Sequence, residues 1–570
     1  MNLLEIESLG VAFPLRRKSV QAIDGLSLTI AAGEVVGVIG ESGAGKSTVG
    51  RAIINLIDVP GYVSGGRISF QGRDLLKLGE TERNAVRGHK VGYIFQNPLT
   101  SLNPVLSIGQ QMIETIVRLR GLSIAEARKE AIGLLERVQI PNPAERLEQF
   151  SHQLSGGQRQ RVVIAIAICG NPALLIADEP TTALDVTIQA SILSLIKELC
   201  VERNIGCLLI THDMGVIATM ADRVYVMLNG RLVEQGTAQQ VISSPREPYT
   251  KRLISAIPPM SRRLHRLSAP SLVSANPSGD LQKAMDYLQG GKKAERKASQ
   301  EPVVEVRNLC KTFMRKSGFL SKPAPPFHAL SDISFVVNEG ETVGIVGESG
   351  SGKSTIGRIM LGLLKPTSGT ILYQGVDVNA PASARDAMRR RLDMQIIFQD
   401  PSSSLDPRMQ IGRSIAMGMK IHGLVKSNAE REAIVRGLLE RVGLPPNAAE
   451  CYPHQFSGGQ LQRISIARAL ASRPRFIFCD EPTSALDVSF QAQVLNLLKD
   501  LQDEHGLTLL FVSHDLAVIR QMCDRIIVME RGRMQEIGGN DQIFHDPQSP
   551  YTQELLRAMP TVDRVLSSLT

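Results

Sequence analysis

The chain repeats itself once, end to end, and that duplication limits what it can fold into. VVGVIGESGAGKST, ending at Thr48, returns as TVGIVGESGSGKST, ending at Thr355. IFQNPLTSLNP from Ile94 returns as IFQDPSSSLDP from Ile397, LSGGQRQR as FSGGQLQR, DEPTTALDV as DEPTSALDV, and THD as SHD. Every pair lies roughly 300 residues apart, whereas solenoid repeats run to about 20–50 residues. The reading is therefore two copies of one domain, 1–258 and 303–570, separated by a Pro/Ser/Gly-rich stretch, 259–302.

Within each copy the order is strand, glycine loop and helix, then a mostly helical insert, then strand, helix and strand. Val35 to Ile39 is an apolar run closed by Gly40, Leu174 to Ala177 runs into Asp178, and Cys207 to Ile210 runs into Thr211-His212. Ile188, Ile192, Leu195, Ile196 and Leu199 recur at helical spacing. Strands alternating with helices predict an α/β fold with a mainly parallel sheet covered on both faces. The stretch 259–302 shows only a short helical pattern near Leu281 to Leu288 and reads as a solvated spacer.

Composition narrows the class. The chain is 43% hydrophobic and 21% charged, which suits a globular core. Its longest apolar run, Val162 to Cys169, falls far short of the ~18–20 residues of a membrane span. The start, MNLLEIESLG, lacks a basic stretch followed by an apolar one, so no signal peptide is expected. The seven cysteines form no CxxC pair and read as reduced cytosolic thiols, mostly core filler. Of the net charge of +8, most sits between Ser261 and Gln300, where eight basic residues face three acidic ones. That distribution argues against a nucleic-acid surface. It leaves a solvated spacer or a weak attraction to anionic lipid head groups.

The chemistry-bearing residues point to phosphate. Gly40-Glu41-Ser42-Gly43-Ala44-Gly45-Lys46-Ser47-Thr48 sits between a predicted strand and helix, and Gly347-Glu348-Ser349-Gly350-Ser351-Gly352-Lys353-Ser354-Thr355 repeats it. In such a loop the glycines let backbone N–H groups wrap the phosphates. The lysine reaches the terminal phosphates and the serine hydroxyl meets Mg²⁺. Asp178 and Asp480 end their strands where the Mg²⁺ shell needs a carboxylate, and Glu179 and Glu481 follow, placed to polarise a water. Ser155-Gly156-Gly157-Gln158 and Ser457-Gly458-Gly459-Gln460 open apolar helices, where unpaired N–H groups and the helix dipole make an anion seat. Gln96 and Gln399 follow a strand and His212 and His514 end one, within reach of the same phosphate.

These residues, in this order, resemble the ATP-binding cassette ATPases over both halves. The resemblance implies two P-loop NTPase (RecA-like) cassettes, each with a parallel core, an antiparallel β part and a helical subdomain, binding ATP and Mg²⁺. It implies that Gln96 and Gln399 contact metal, water and transporter subunits, that Glu179 and Glu481 are the catalytic bases, and that His212 and His514 are the switch histidines. Phe13 and Phe313 fall where the family stacks an aromatic on adenine, although an apolar residue of an early strand also serves as core. Ser155–Gln158 and Ser457–Gln460 resemble the signature that covers the γ-phosphate of the opposite cassette. One chain would then build two composite sites, Lys46, Gln96, Asp178, Glu179 and His212 facing Ser457–Gln460, and Lys353, Gln399, Asp480, Glu481 and His514 facing Ser155–Gln158.

After each cassette comes a related tail, Pro248-Tyr249-Thr250 and Pro550-Tyr551-Thr552, similar to that of the oligopeptide/dipeptide import ATPases. That resemblance implies a peripheral subunit on the cytoplasmic face of the inner membrane. It would drive uptake of peptides or a peptide-like solute such as glutathione, with an opine, nickel complex or sugar as alternatives. The implied partners are two integral-membrane permeases and, indirectly, a solute-binding protein, with no nucleic acid. Many relatives follow that tail with a cysteine-rich segment; this chain has no cysteine in Ser261–Gln300 or Thr561–Thr570, so no iron–sulfur cluster is expected there. A soluble tandem-cassette translation factor is the competing class, but it carries EPTNHLD-type segments where this chain has EPTTALD and EPTSALD.

Overall fold

The computed structural model describes residues 2–15, 18–181, 184–269, 272, 278–290, 302–314, 326–484 and 486–559. They form two compact units, the first built on Met1–Ile254 and the second on Ser255–Arg557.

In the first unit, strands Val35–Ile39, Leu174–Asp178 and Gly206–Ile210 are buried at every position. Only a sheet covered on both faces permits that, and it explains why their sequences run apolar without alternation. They lie in a six-stranded sheet ordered Arg231–Thr237, Arg223–Leu228, Val35–Ile39, Gly206–Ile210, Leu174–Asp178, Val91–Ile94. All neighbours are parallel except the first pair, whose strands are antiparallel. A separate antiparallel sheet takes Lys18–Ala31, Asn2–Leu15, Tyr62–Phe70 and Arg73–Asp74 in that order. Between the two sheets sits helix Lys46–Ile53, whose Val49, Ala52 and Ile53 join Leu4, Ile6 and Ile68 to Val36, Val38 and Ile210 in one core. Each such side chain contributes about 1.5–3 kcal/mol on burial. The helix that follows the glycine loop is therefore clamped from both sides, which fixes where the loop points.

The second unit repeats the plan. Its six-stranded sheet runs Met394–Ile397, Phe476–Asp480, Thr508–Val512, Thr342–Gly347, Arg525–Glu530, Arg533–Gly539, and its antiparallel sheet runs Phe327–Val337, Val304–Phe313, Ser368–Tyr373, Val376–Asp377. The expected helical insert is present in both, with helices Ile108–Arg120 and Ile124–Arg137 in the first and Ile411–Ile421 and Asn428–Arg441 in the second. Cys169, Cys200, Cys207, Cys479 and Cys523 are buried thiols. Among the described residues no helix is long and apolar enough to cross a membrane.

The stretch read as a solvated spacer is different in the structure. Its described parts are fastened along the second unit by side chains that read the main chain. Gln521, fully buried, donates to the Pro259 and Arg262 carbonyls (both 2.7 Å) and accepts from the Leu264 N–H (2.7 Å). Asn496 pairs with both the N–H and the C=O of Leu267, each at 2.9 Å. Lys499 donates to the Leu264 carbonyl at 2.8 Å, and burial, with Arg263 and Arg266 nearby, brings its ammonium down to about 8. Arg266 bridges Asp500 and Asp503. Farther on, helix Gly279–Gln289 buries Leu281, Ala284 and Leu288, Asp280 pairs with Arg436, and the Tyr287 hydroxyl donates to the Ala471 carbonyl at 2.7 Å. The basic residues Arg263 and Arg266 thus have acidic partners. Composition could not show this, because the receiving groups lie more than 200 residues away in the chain.

Replacing Gln521 by Ala leaves three main-chain groups without their partner, at roughly 1–3 kcal/mol for a buried unsatisfied polar group. The expected outcome is faster trypsin cleavage at Arg262, Arg263 and Arg266 in Q521A than in the parent chain, read by gel or mass spectrometry, with the cassettes still folded by circular dichroism.

Candidate active site

The carboxyl ends of the parallel strands bring the predicted residues to one edge of each sheet. Strand Val35–Ile39 ends in the glycine loop, Leu174–Asp178 ends on the acid pair, and Gly206–Ile210 leads to His212. In open α/β sheets this edge is where ligands bind. The loop needs glycine for a physical reason. Gly40 has φ +153°, and a Cβ there would lie 2.2 Å from the Met227 carbonyl oxygen; at Gly347 the values are +148° and 2.0 Å from that of Met529. Gly45 and Gly352 adopt φ +93° and +102°, turning the chain into helices Lys46–Ile53 and Lys353–Met360.

Polar contacts tie the loop to the strand ends. Ser47 Oγ donates to Asp178 Oδ1 at 2.8 Å, and Ser354 Oγ does the same to Asp480. Lys46 Nζ, buried, donates to the carbonyls of Gly40 and Glu41 at 2.8 and 2.9 Å, and Lys353 to those of Gly347 and Glu348 at 2.7 and 2.8 Å. Burial raises Asp178 above the usual carboxylate value, opposed by the hydrogen bonds from Ser47 and Tyr93; burial raises Asp480 likewise, opposed by Ser354.

The glutamate next to each aspartate sits in a polar clasp. Gln96 Nε2 donates to Glu179 Oε2 at 2.6 Å, and His212 Nδ1 lies 3.0 Å from Glu179 Oε1. In the second copy Gln399 Nε2 is 2.8 Å and His514 Nδ1 3.1 Å from Glu481 Oε2. Both glutamates have left-handed backbones, φ +48° and +47°, sparsely populated for a residue with a Cβ. Burial opposes charge on Glu481 and His514. Their mutual hydrogen bond and attraction outweigh it, so the carboxyl is held low and the imidazole high. The ion pair therefore exists in the window between, lost as pH falls through the lowered Glu481 value or rises through the raised His514 value.

The signature segments open helices by capping themselves. Ser155 and Ser457 cap helices Gly156–Ile168 and Gly458–Leu470, each Oγ accepting from the glutamine N–H three residues on and each glutamine side chain accepting in return. Both serines are exposed. Phe13 is half-buried beside Ile57 and Gly61, and Phe313, 39% exposed, lies under the Lys311 ammonium at 5.1 Å. Ala183 and Ala485, in the ALD segments, lie outside the described residues.

Two contacts were not legible in the motifs. Tyr93 Oη donates to Asp178 Oδ2 at 2.9 Å, and burial, then the Asp178 charge, raises its phenol well above its usual value. Tyr249, in the tail segment Pro248-Tyr249-Thr250, accepts a hydrogen bond from the Glu41 N–H at 3.1 Å. The tail therefore supports the glycine loop of its own cassette. An aromatic with a polar tip inside an apolar strand is the signal that flags Tyr93.

The model of the ABC transporter family matches residues 23–182 and again 330–484. That of the oligopeptide/dipeptide transporter C-terminal region matches 233–279 and 535–570. The chain is 44% identical over 578 aligned residues to the glutathione import ATP-binding protein GsiA of Shigella flexneri, covering 99% of this chain and 90% of that one. The Escherichia coli (strain K12) protein of that name matches equally. Among solved structures, a dimeric post-hydrolysis state of the ATP-binding cassette MJ0796 bound to ADP and Pi is 28% identical, covering 41% of this chain and 98% of that one, with a TM-score of 0.38.

The loop geometry separates two costs. Gly43 also has positive φ, +80°, but open space where a Cβ would go. G43A is therefore expected to lose only the left-handed strain, about 1–2 kcal/mol. G40A and G347A add a clash with main-chain oxygen and are expected to lose on the order of 3 kcal/mol or more. Denaturant unfolding of the three variants checks the order.

Proposed function

This chain belongs to the ABC transporter family and is an ATP-hydrolysing import subunit of the oligopeptide/dipeptide type; on that premise we propose that its cargo is a peptide or peptide-like solute such as glutathione. The support for that cargo is the likeness to the glutathione import proteins along 99% of the chain, tails included. In this reading two separate membrane permeases receive the stroke, a binding protein delivers the solute outside, and the chain works peripherally on the cytoplasmic face of the inner membrane.

The proposed cycle has two ATP sites. Loop residues Gly40–Thr48 and Lys46 cradle one triphosphate, which Ser457, Gly458, Gly459 and Gln460 cover; Gly347–Thr355 and Lys353 cradle the other, covered by Ser155, Gly156, Gly157 and Gln158. Phe13 and Phe313 stack on the adenines. Glu179 and Glu481 each orient and deprotonate the attacking water, with His212 and His514 and with Gln96 and Gln399 holding the carboxylate. The geometry that carries this is the clasp around each glutamate, since a base must be fixed in direction before it can take a proton.

Residues for Mg²⁺ fit as well. Ser47 with Asp178, and Ser354 with Asp480, present a hydroxyl and a carboxylate oxygen 2.8 Å apart, both hard donors. Gln96 and Gln399 point their amide nitrogen at the glutamate, leaving the amide oxygen as the third donor. When bound, the cation neutralises charge between the transferring and leaving phosphates. Ser47, Asp178 and Gln96 in one cassette, and Ser354, Asp480 and Gln399 in the other, would hold the ion together with phosphate and water.

E179Q with E481Q in one chain keeps nucleotide binding and removes the bases. The expected result is unchanged ATP affinity by equilibrium binding and a steady-state turnover reduced at least 100-fold. Turnover at the parent rate rejects the assignment. Copurification with membranes only when the cognate permeases are coexpressed tests the importer reading, and ribosome association in their absence favours the soluble class.

A further inference from the structure

Both cassettes bring an aromatic side chain against the glycine of the loop helix, the phenol oxygen in the first and the ring in the second, and they deliver it from different strands. In the first, a Cβ on Gly50 would lie 3.0 Å from Tyr93 Oη and 3.1 Å from Ile176 Cγ2. In the second, a Cβ on Gly357 would lie 2.1 Å from the Phe478 ring. Tyr93 and Ile176 are partners in the parallel ladder, and so, in the other copy, are Ile396 and Phe478. One large and one branched aliphatic side chain have exchanged places across the same rung, which conserves volume in a close-packed core. What the exchange does not conserve is the hydroxyl.

Only the first cassette has a phenol at this place, and it lands on the aspartate. Asp178 is held at both oxygens, Oδ1 by Ser47 at 2.8 Å and Oδ2 by Tyr93 at 2.9 Å. Among the described residues, Asp480 has the Ser354 hydroxyl as its side-chain hydrogen-bond donor, and Ile396 offers nothing in place of the phenol. A hydrogen bond to the far oxygen of a ligating carboxylate stops its rotation and fixes which oxygen faces the ion. Removing such outer partners typically costs about 10–100-fold in metal affinity. The alternative is a half-buried Tyr satisfying its own hydroxyl, with no effect on the aspartate's task.

We infer that Tyr93 is a positioning residue for Asp178 and makes the first ATP site bind its divalent cation more tightly than the second, so that two sites with the same motifs are chemically unequal. This rests on the reading of Asp178 and Asp480 as the carboxylates that face the cation.

The test uses the full chain with E179Q and E481Q, saturated with ATP, and counts bound Mn²⁺ by electron paramagnetic resonance as Mn²⁺ is titrated. The expected result is two classes of site separated by about tenfold. Y93F, which removes one oxygen and keeps the ring, should weaken the tighter class to the level of the other. I396Y with F478I, which moves the arrangement into the second cassette, should tighten the weaker class. One indistinguishable class in the starting chain, or a tight class that Y93F leaves unmoved, overturns the inference. D178N separates the two levels. If it abolishes one class while Y93F moves nothing, only the role of Tyr93 falls; if it leaves both classes intact, the reading of Asp178 falls and the inference with it.

Discussion

The hydrogen bond from Ser47 to Asp178, matched by Ser354 to Asp480, joins the two halves of each phosphate site. It forms only because strands far apart in the chain run parallel and end at one edge. Val35–Ile39 and Leu174–Asp178 both pair with Gly206–Ile210, so the glycine loop, the acid pair and the histidine emerge side by side. Parallel strands need crossover connections, and in this chain the longest crossover is the helical insert. The site and the helical insert are consequences of one topology.

Strain accompanies that arrangement. Glu179 and Glu481 hold a left-handed backbone, which lets each carboxylate turn away from its neighbouring aspartate toward glutamine and histidine. Such conformations cost about 1–3 kcal/mol and persist where surrounding contacts over-determine them. The strand bond from the Glu179 N–H to the Ile210 carbonyl at 2.8 Å, repeated from Glu481 to Val512 at 3.0 Å, is one of those contacts. Two adjacent acids thereby acquire separate environments.

The two copies have diverged where packing permits it. Their cores exchange an aromatic for an aliphatic across one rung without losing volume. The second copy alone carries Asn496 and Gln521, where the first has Ser194 and Thr219 at the corresponding positions. Those two amides hold the chain that leaves the first cassette. The described parts of the segment are therefore a fitted strap on the second unit, with Arg263 paired to Asp524 and Arg266 to Asp500 and Asp503.

The repeated motifs were enough to recognise two cassettes, to place the buried strands, and to name the glycine loops, the acid pairs, the glutamines and the histidines. These are local signals, since loop glycines, apolar runs and terminal acids occupy a few consecutive residues whose backbone or burial dictates their type. The clasp around each glutamate, the Tyr93 contact on Asp178, the Tyr249 contact on the glycine loop and the course of the strap were settled in three dimensions. These contacts join residues from 33 to more than 250 positions apart. No periodicity in a chain records which of its distant side chains the fold will bring within 3 Å of one another.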